Sequence, residues 1–178
     1  MCAFNGDFPF HGLIQDTDQA VTCLWRKWPF GQFGELDECW SYIQEKQKRV
    51  RPDDDQNLGD CYTFVAIERH SKLVLNIAMG KRDKATTDVF VEGVRHATRG
   101  QFQVTSDGFP CYKSVITTTL HDRVTGFVQF IKVYRSPQDG EKRYSPAEVE
   151  SVEVVPVMGR PDPERICTSI VERSNLSL

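Results

Sequence analysis

Three acidic residues stand where they could do chemistry together. Asp37 lies in "GELDECWSY", Asp107 in "FQVTSDGFPC" and Glu172 in "SIVERSN". Two carboxylates about 4 Å apart repel by about 4 kcal/mol at an effective dielectric of 20. Three gathered in one place therefore need a proton or a cation. Mg²⁺ or Mn²⁺ fits the need, because hard divalent ions take oxygen ligands and keep room for substrate phosphates. Two such ions, about 3.5–4 Å apart, carry +4 against −3 and leave charge to spare for a phosphodiester. Metal and catalytic roles accordingly fall on the same residues, Asp37, Asp107 and Glu172.

Each acid also has a plainer reading. Asp37 could be a solvent-facing acid on a strand, sharing a face with Cys39 and Ile43. Glu38 points the other way, toward the surface. Asp107 could cap the helix that follows it, although ligands also bind beyond the carboxyl ends of strands in open sheets. Gly108 would then let the backbone turn sharply. Glu172 completes Ser169-Ile-Val-Glu172, which matches a capping box. Asn175 would sit one turn further on the same helical face, within reach of that carboxylate or of a substrate.

The elements that must position these residues follow from the hydrophobic pattern. "ELDECWSYI", "CYTFVAIER" and "KLVLNIAMG" read as three strands with short links, which implies antiparallel pairing. Phe90, Val94 and Ala97 then fall on one face of a helix. "QFQVTSD" is a fourth strand. "GFPCYKSVITTTL" is a second helix with Pro110 in its first turn, and "TGFVQFIKVY" is a fifth strand. Residues 135–165 hold Pro137, Pro146, Pro156, Pro161 and Pro163 and read as an irregular insertion. "CTSIVERSNLSL" opens a last, short helix. The expected fold is α/β, a ribonuclease-H-like mixed five-stranded sheet. It combines an antiparallel meander of three strands with two parallel strands and has flanking helices. If strands one and four are neighbours, Asp37 and Asp107 lie side by side and the last helix carries Glu172 over them.

Bulk properties narrow the field. The chain has 178 residues, suited to one domain whose folding buries roughly 70% of its surface. No apolar run approaches the ~20 residues of a membrane span, and no signal peptide is evident, so a cytoplasmic location is expected. The six cysteines are too dispersed for a zinc site and read as reduced packing groups. The four histidines show no ligand spacing. A net charge of −3 and a pI near 5.8 speak mildly against a stand-alone nucleic-acid binder. Local basic runs do exist, "KQKRVR" at 46–51 and "KRDK" at 81–84. The first runs into Asp53, Asp54 and Asp55, so a solvated loop and a DNA contact are equally open. Residues 1–33 are rich in aromatics but lack a period. Trp40 is expected in the core.

"LDECWSYI", "TSDGFPCY", "KVYR", "RYSP" and "VMGRPDPERICTSIVERSNLSL" together resemble the catalytic part of insertion-sequence transposases of the IS-one family. The resemblance runs from about Gly34 to Leu178, and its ending is the most specific piece. It implies a DDE transposase domain over residues 34–178, with Asp37, Asp107 and Glu172 as its acids. Double-stranded DNA, both element ends and target, would be the partner, with a homo-oligomer assembled on it. Such enzymes hydrolyse a phosphodiester to free a 3′-hydroxyl and then join that hydroxyl to target DNA, with no nucleotide cofactor. Arg173 and Asn175, beside the matched Glu172, are candidate DNA contacts. Two departures stand out: residues 1–33 do not resemble the family's DNA-recognition region, and the basic helical segment that follows the Glu motif is not present. Two alternatives therefore accompany the transposase reading. One is a truncated, catalytically incompetent relative that binds DNA or a full-length transposase. The other is a metal-dependent nuclease of the same fold.

Overall fold

A computed structural model describes residues 33–55, 57–134 and 149–176. The chain divides into two units, Met1–Phe30 and Gly31–Leu178, and the described residues all belong to the second. The expectation of a poorly defined segment at 1–33 lies outside them except at Phe33.

Six strands form one mixed sheet in the order β3-β2-β1-β4-β5-β6. β1 (Phe33–Ile43), β2 (Gly59–Glu68) and β3 (Val74–Gly80) make the antiparallel meander. β4 (Phe102–Ser106) and β5 (Val124–Tyr134) continue the sheet in parallel with β1. β6 (Val149–Gly159) closes the far edge, antiparallel to β5. The five-stranded expectation is therefore corrected to six. β6 lies inside the stretch that its prolines mark as irregular, and it tolerates Pro156 because an edge strand has one side free of partners.

Helix α1 (Lys84–Ala97) begins where the Asp83 side chain accepts the Thr86 N–H at 2.9 Å. Its Phe90, Val91 and Val94 are fully buried. Helix α2 (Pro110–Thr119) starts with a proline whose missing N–H costs nothing at that position, and it buries Tyr112, Val115 and Ile116. Both helices pack on one sheet face against Leu36, Phe64, Val104 and Phe127. Short helix α3 (Ser169–Asn175) lies on the other face, where Val171 meets Val65 and Ile67. The period-2 alternation of β1 thus sends Leu36 to one layer and Glu35 and Asp37 to the other.

Strand lengths set up the feature that matters most. β4 is short, and β1 pairs with it only from Phe33 to Leu36. Beyond Leu36, β1 runs on beside β2, while β5 runs on past Gln129 beside β6. The end of β4 is consequently the floor of a notch between two longer strands, the kind of crevice in which α/β sheets place ligands.

Trp40 stands on the outrunning part of β1 and is 46% exposed, not in the core. On β1 the helix-covered core holds Leu36, and no later residue of the strand belongs to it among the described residues. The four cysteines among the described residues are free thiols. No helix among the described residues is long and apolar enough to cross a membrane.

Candidate active site at the notch

Leu36 of β1 pairs with Ser106 of β4, so the next residue on each strand, Asp37 and Asp107, arrives at the notch together. Glu38 joins them. Oxygen atoms of Asp37, Glu38 and Asp107 all lie within 4.8 Å of one another. Glu38 is not the surface residue expected from alternation. It does point away from Asp37, but at the notch both faces of β1 border the same opening. Its side chain is 1% exposed.

Asp107 is held from several sides. Its Oδ1 accepts the Phe109 N–H at 3.0 Å, which turns the chain into α2. The cap residue of α2 is Phe109 itself, so Asp107 organises the turn from one residue further out. Ser106 Oγ and Gln129 Nε2 donate to the Asp107 carbonyl at 2.9 and 3.2 Å. Gly108 serves close packing here, since a Cβ at that position would press to 3.0 Å from Ile131. The other carboxylate oxygen of Asp107 takes a hydrogen bond from Arg82 at 3.2 Å, and Arg82 Nε donates to Glu38 at 2.8 Å. The guanidinium lies 4.4 Å over the Phe109 ring. "KRDK" is therefore not a basic surface patch. Arg82 pairs two site acids, Asp83 caps α1, and Lys81 donates to the carbonyls of Leu58 and Asp60.

Glu172 stands beside this group and is not one of the three acids that converge within 4.8 Å. Its Oε2 accepts a hydrogen bond from Lys132 of β5 and its Oε1 one from the Thr168 hydroxyl, both at 2.5 Å. The Ser169 capping box does not form, because the residue at the helix start is Thr168. Helix α3 is instead capped from the sheet. Buried Glu35 accepts the N–H groups of Ile170 and Val171 at 2.9 and 3.1 Å. That contact supplies the tertiary support a two-turn helix needs. Asn175, at the other end of α3, donates to Asp37 at 2.8 Å. Arg173 is exposed.

Electrostatics single this group out. Burial and the neighbouring Asp107 push Asp37 up from 3.8 to about 6. Burial and Asp107 push Glu38 up to about 7, against the pull of Arg82. Burial also raises Asp107, opposed by the Phe109 amide and by Arg82. One arginine among three acids leaves the site short of positive charge. Glu38 Oε2, Asn175 Oδ1 and the Tyr112 hydroxyl are buried without a hydrogen-bond partner. Each orphaned oxygen costs about 1–3 kcal/mol. An all-oxygen donor set with surplus negative charge and a spare buried carboxylate oxygen fits Mg²⁺ or Mn²⁺ and does not suit a softer metal.

Sequence reasoning missed Glu38, Arg82, Lys132 and Glu35. The "DE" pair in "LDECW" was a usable signal, because adjacent acids at a strand's exit reach a notch from both faces.

No protein-family model matches the sequence, and no curated protein matches it. Among solved structures, the chain is similar to a Mos1 transposase paired-end complex with the left transposon end. There the TM-score is 0.37 with 12% identity, over 70% of this chain and 46% of that one. It is also similar to the Mos1 strand transfer complex, at a TM-score of 0.36 and 13% identity over 70% and 45%. Endonuclease V from Streptomyces avermitilis matches at a TM-score of 0.35 and 15% identity, over 86% of this chain and 81% of that one. The chain spans under half the length of the Mos1 chains. Likenesses this distant assign no activity, and the chemistry rests on the site.

Proposed function

We propose that this chain is a metal-dependent DNA-processing enzyme, with a ribonuclease-H-like core and the phosphodiester chemistry of a DDE transposase. The observation that carries the reading is the meeting of Asp37, Glu38 and Asp107 at the end of the shortest strand, with raised carboxyl pKa values and an orphaned buried oxygen. The strand order, with β1 between the meander and the parallel strands, supports the core assignment.

Asp37 and Asp107 would hold the cations, with Glu38 adding the donor that alternation hides. A divalent ion held there would supply Lewis-acid polarisation of a phosphodiester and activation of an attacking oxygen. Asn175 fixes the orientation of the Asp37 carboxylate through its 2.8 Å hydrogen bond. Arg82 balances the acids and lies where a phosphate would approach. Glu172 completes the acidic set from α3, and Lys132 holds its carboxylate at the rim. Arg173 is free to meet the DNA backbone from the exposed side of the same helix. Element ends, target DNA and assembly as a homo-oligomer belong to this reading.

One observation favours a second reading, a DNA-binding relative that cannot complete the reaction. Glu172 is neutralised by Lys132 and stands apart from the converging acids. Incubation of labelled duplex DNA bearing candidate inverted ends with Mg²⁺ or Mn²⁺ separates the possibilities. Cleavage followed by strand joining, both lost in Asp107→Ala, is the expected result. Cleavage that survives this change overturns the site. Binding without cleavage supports the second reading, and cleavage without joined product indicates a simple nuclease.

A further inference from the structure

Beyond the notch, Trp40 and Tyr42 of β1 are exposed while Tyr62 of β2, opposite Trp40, still packs against the core, so the aromatic surface is carried by β1. Trp40 and Tyr42 share the face of β1 that holds Glu38, and they are 46% and 48% exposed. Their ring centroids lie 5.8 Å apart in a tilted arrangement. Tyr62 pairs with Trp40 across the strands and continues the surface toward Arg82, whose guanidinium is 5.8 Å from its ring. Lys46 stands over both exposed rings, 5.5 Å from Trp40 and 6.0 Å from Tyr42.

The charge beside these rings is positive. In the adjoining loop, Lys48, Arg49 and Arg51 form no ion pair among the described residues. Of the acids that follow, Asp53 and Asp55 are exposed and Asp54 is half-buried; Asp54 accepts the Arg51 N–H at 2.7 Å, and Asp55 accepts from Asn57 at 2.9 Å. None of the three acids forms an ion pair with Lys48, Arg49 or Arg51 among the described residues, so the basic side chains keep their full hydrogen-bonding capacity for a phosphate. Base stacking on exposed aromatics flanked by basic groups is how unpaired nucleic acid is bound.

We propose that Trp40 and Tyr42 are a stacking platform for unpaired nucleotides of a DNA strand, with Lys46 and the Gln47–Arg51 loop tracking its phosphates. The proposal rests on the phosphodiester reading of the notch and names the form of DNA that it takes. Spacing supports it. Residues two apart on a strand stand about 6.5–7 Å apart, so Glu38, Trp40 and Tyr42 step outward from the acids at intervals a splayed nucleotide can follow. A phosphate at the carboxylates would leave the neighbouring bases over the two rings. An intact duplex cannot offer its base faces to them, so the platform selects single strands or frayed ends.

The test is fluorescence anisotropy of labelled oligonucleotides with the whole chain in Ca²⁺, comparing a single strand, a duplex with unpaired ends and a blunt duplex. The expected order is single strand and frayed duplex well above blunt duplex. Trp40→Ala and Tyr42→Ala each weaken the first two by about tenfold and leave the blunt duplex within about twofold, while Trp40→Phe retains most of the affinity. Both side chains are half exposed, so the variants keep the fold, which circular dichroism melting verifies. Equal binding of all three DNAs, or affinities indifferent to Trp40→Ala and Tyr42→Ala, overturns the platform. Mn²⁺ binding measured in parallel keeps the two failures apart: if it persists while strand selectivity is absent, only the platform falls, and if it is absent as well, the reading of the notch falls with it.

Discussion

Two charged clusters tie helices to the sheet at opposite ends of the parallel strands, and they are built on opposite terms. At the entry to β4 and β5, Arg95 grips Asp122 through two hydrogen bonds at 2.6 and 3.0 Å and donates a third to the Thr119 carbonyl. Arg123 donates to the carbonyls of Arg95 and Thr98. Opposite charges meet with their lone pairs used, and the Arg95 hydrogen bond draws Asp122 down to about 2. At the exit of β4, like charges meet. Asp37 and Glu38 rise to about 6 and 7, and a buried carboxylate oxygen is left without a partner. The first cluster is complete as it stands. The second is complete only with added positive charge, which is the mark of a site rather than a clasp.

The sharpest way to break this comparison is to neutralise one acid at each end. Asp107→Asn is expected to lower metal-dependent cleavage by about 10²–10³-fold, by analogy with the loss of other electrostatic catalytic groups, in a cleavage assay with Mg²⁺ or Mn²⁺. Asp122→Asn should leave cleavage unchanged. Equal losses in both would mean that the exit acids serve folding alone.

Next in size is an inverse effect on stability. Holding Asp37 ionised at neutral pH, with its carboxyl raised from 3.8 to about 6, costs about 3 kcal/mol. Asp37→Asn is therefore expected to stabilise the metal-free protein in denaturant melts, since the amide can keep its link to Asn175. Asp122→Asn is expected to destabilise it or change nothing. A destabilised Asp37→Asn would show that the carboxylate supports the fold.

The pH dependence should differ in sign as well. A carboxyl raised in the folded state contributes stability that is whole below about pH 4 and lost as pH climbs through 6 and 7. A lowered one, such as Asp122, contributes stability present above about pH 4 and lost as pH falls toward 2. Metal-free melting temperatures followed from pH 5 to 8 should decline for the wild type and decline less for Asp37→Asn. Saturating Mg²⁺ should cancel the decline, because the cation favours the ionised acids.

The smallest effect concerns the rim. Lys132→Ala removes the cation held on Glu172. Metal affinity is expected to rise by a few-fold, measured by calorimetry, because one more carboxylate is released toward the notch. A fall in affinity would place Lys132 and Glu172 together in a structural role.

Much of the fold was open to sequence reading because its signals are local. Alternation marked β1 to β5, a change of period marked α1, and Pro110 marked the start of α2. Asp37 and Asp107 could be put side by side only on the condition that strands one and four are neighbours, which the parallel β1–β4 pairing meets. What escaped depends on where strands stop relative to one another. Glu38 was sent to the surface by a rule that holds inside a sheet and fails at a notch. Trp40 was placed in the core by its type, although its strand outruns the layer that would cover it. Arg82 hid in a basic run because only the tertiary fold carries its long side chain to Glu38 and Asp107. β6 was obscured by prolines that an edge strand can hold.

The central claim is that the acids at the end of β4 are a cation site. Mn²⁺ binding followed by electron paramagnetic resonance at pH 5.5 and 7.5, for wild type and Asp37→Asn, tests it most directly. The account predicts binding in the wild type that strengthens with pH and is lost in the variant. Binding that ignores both the pH and Asp37, or no binding at millimolar Mn²⁺, would contradict it.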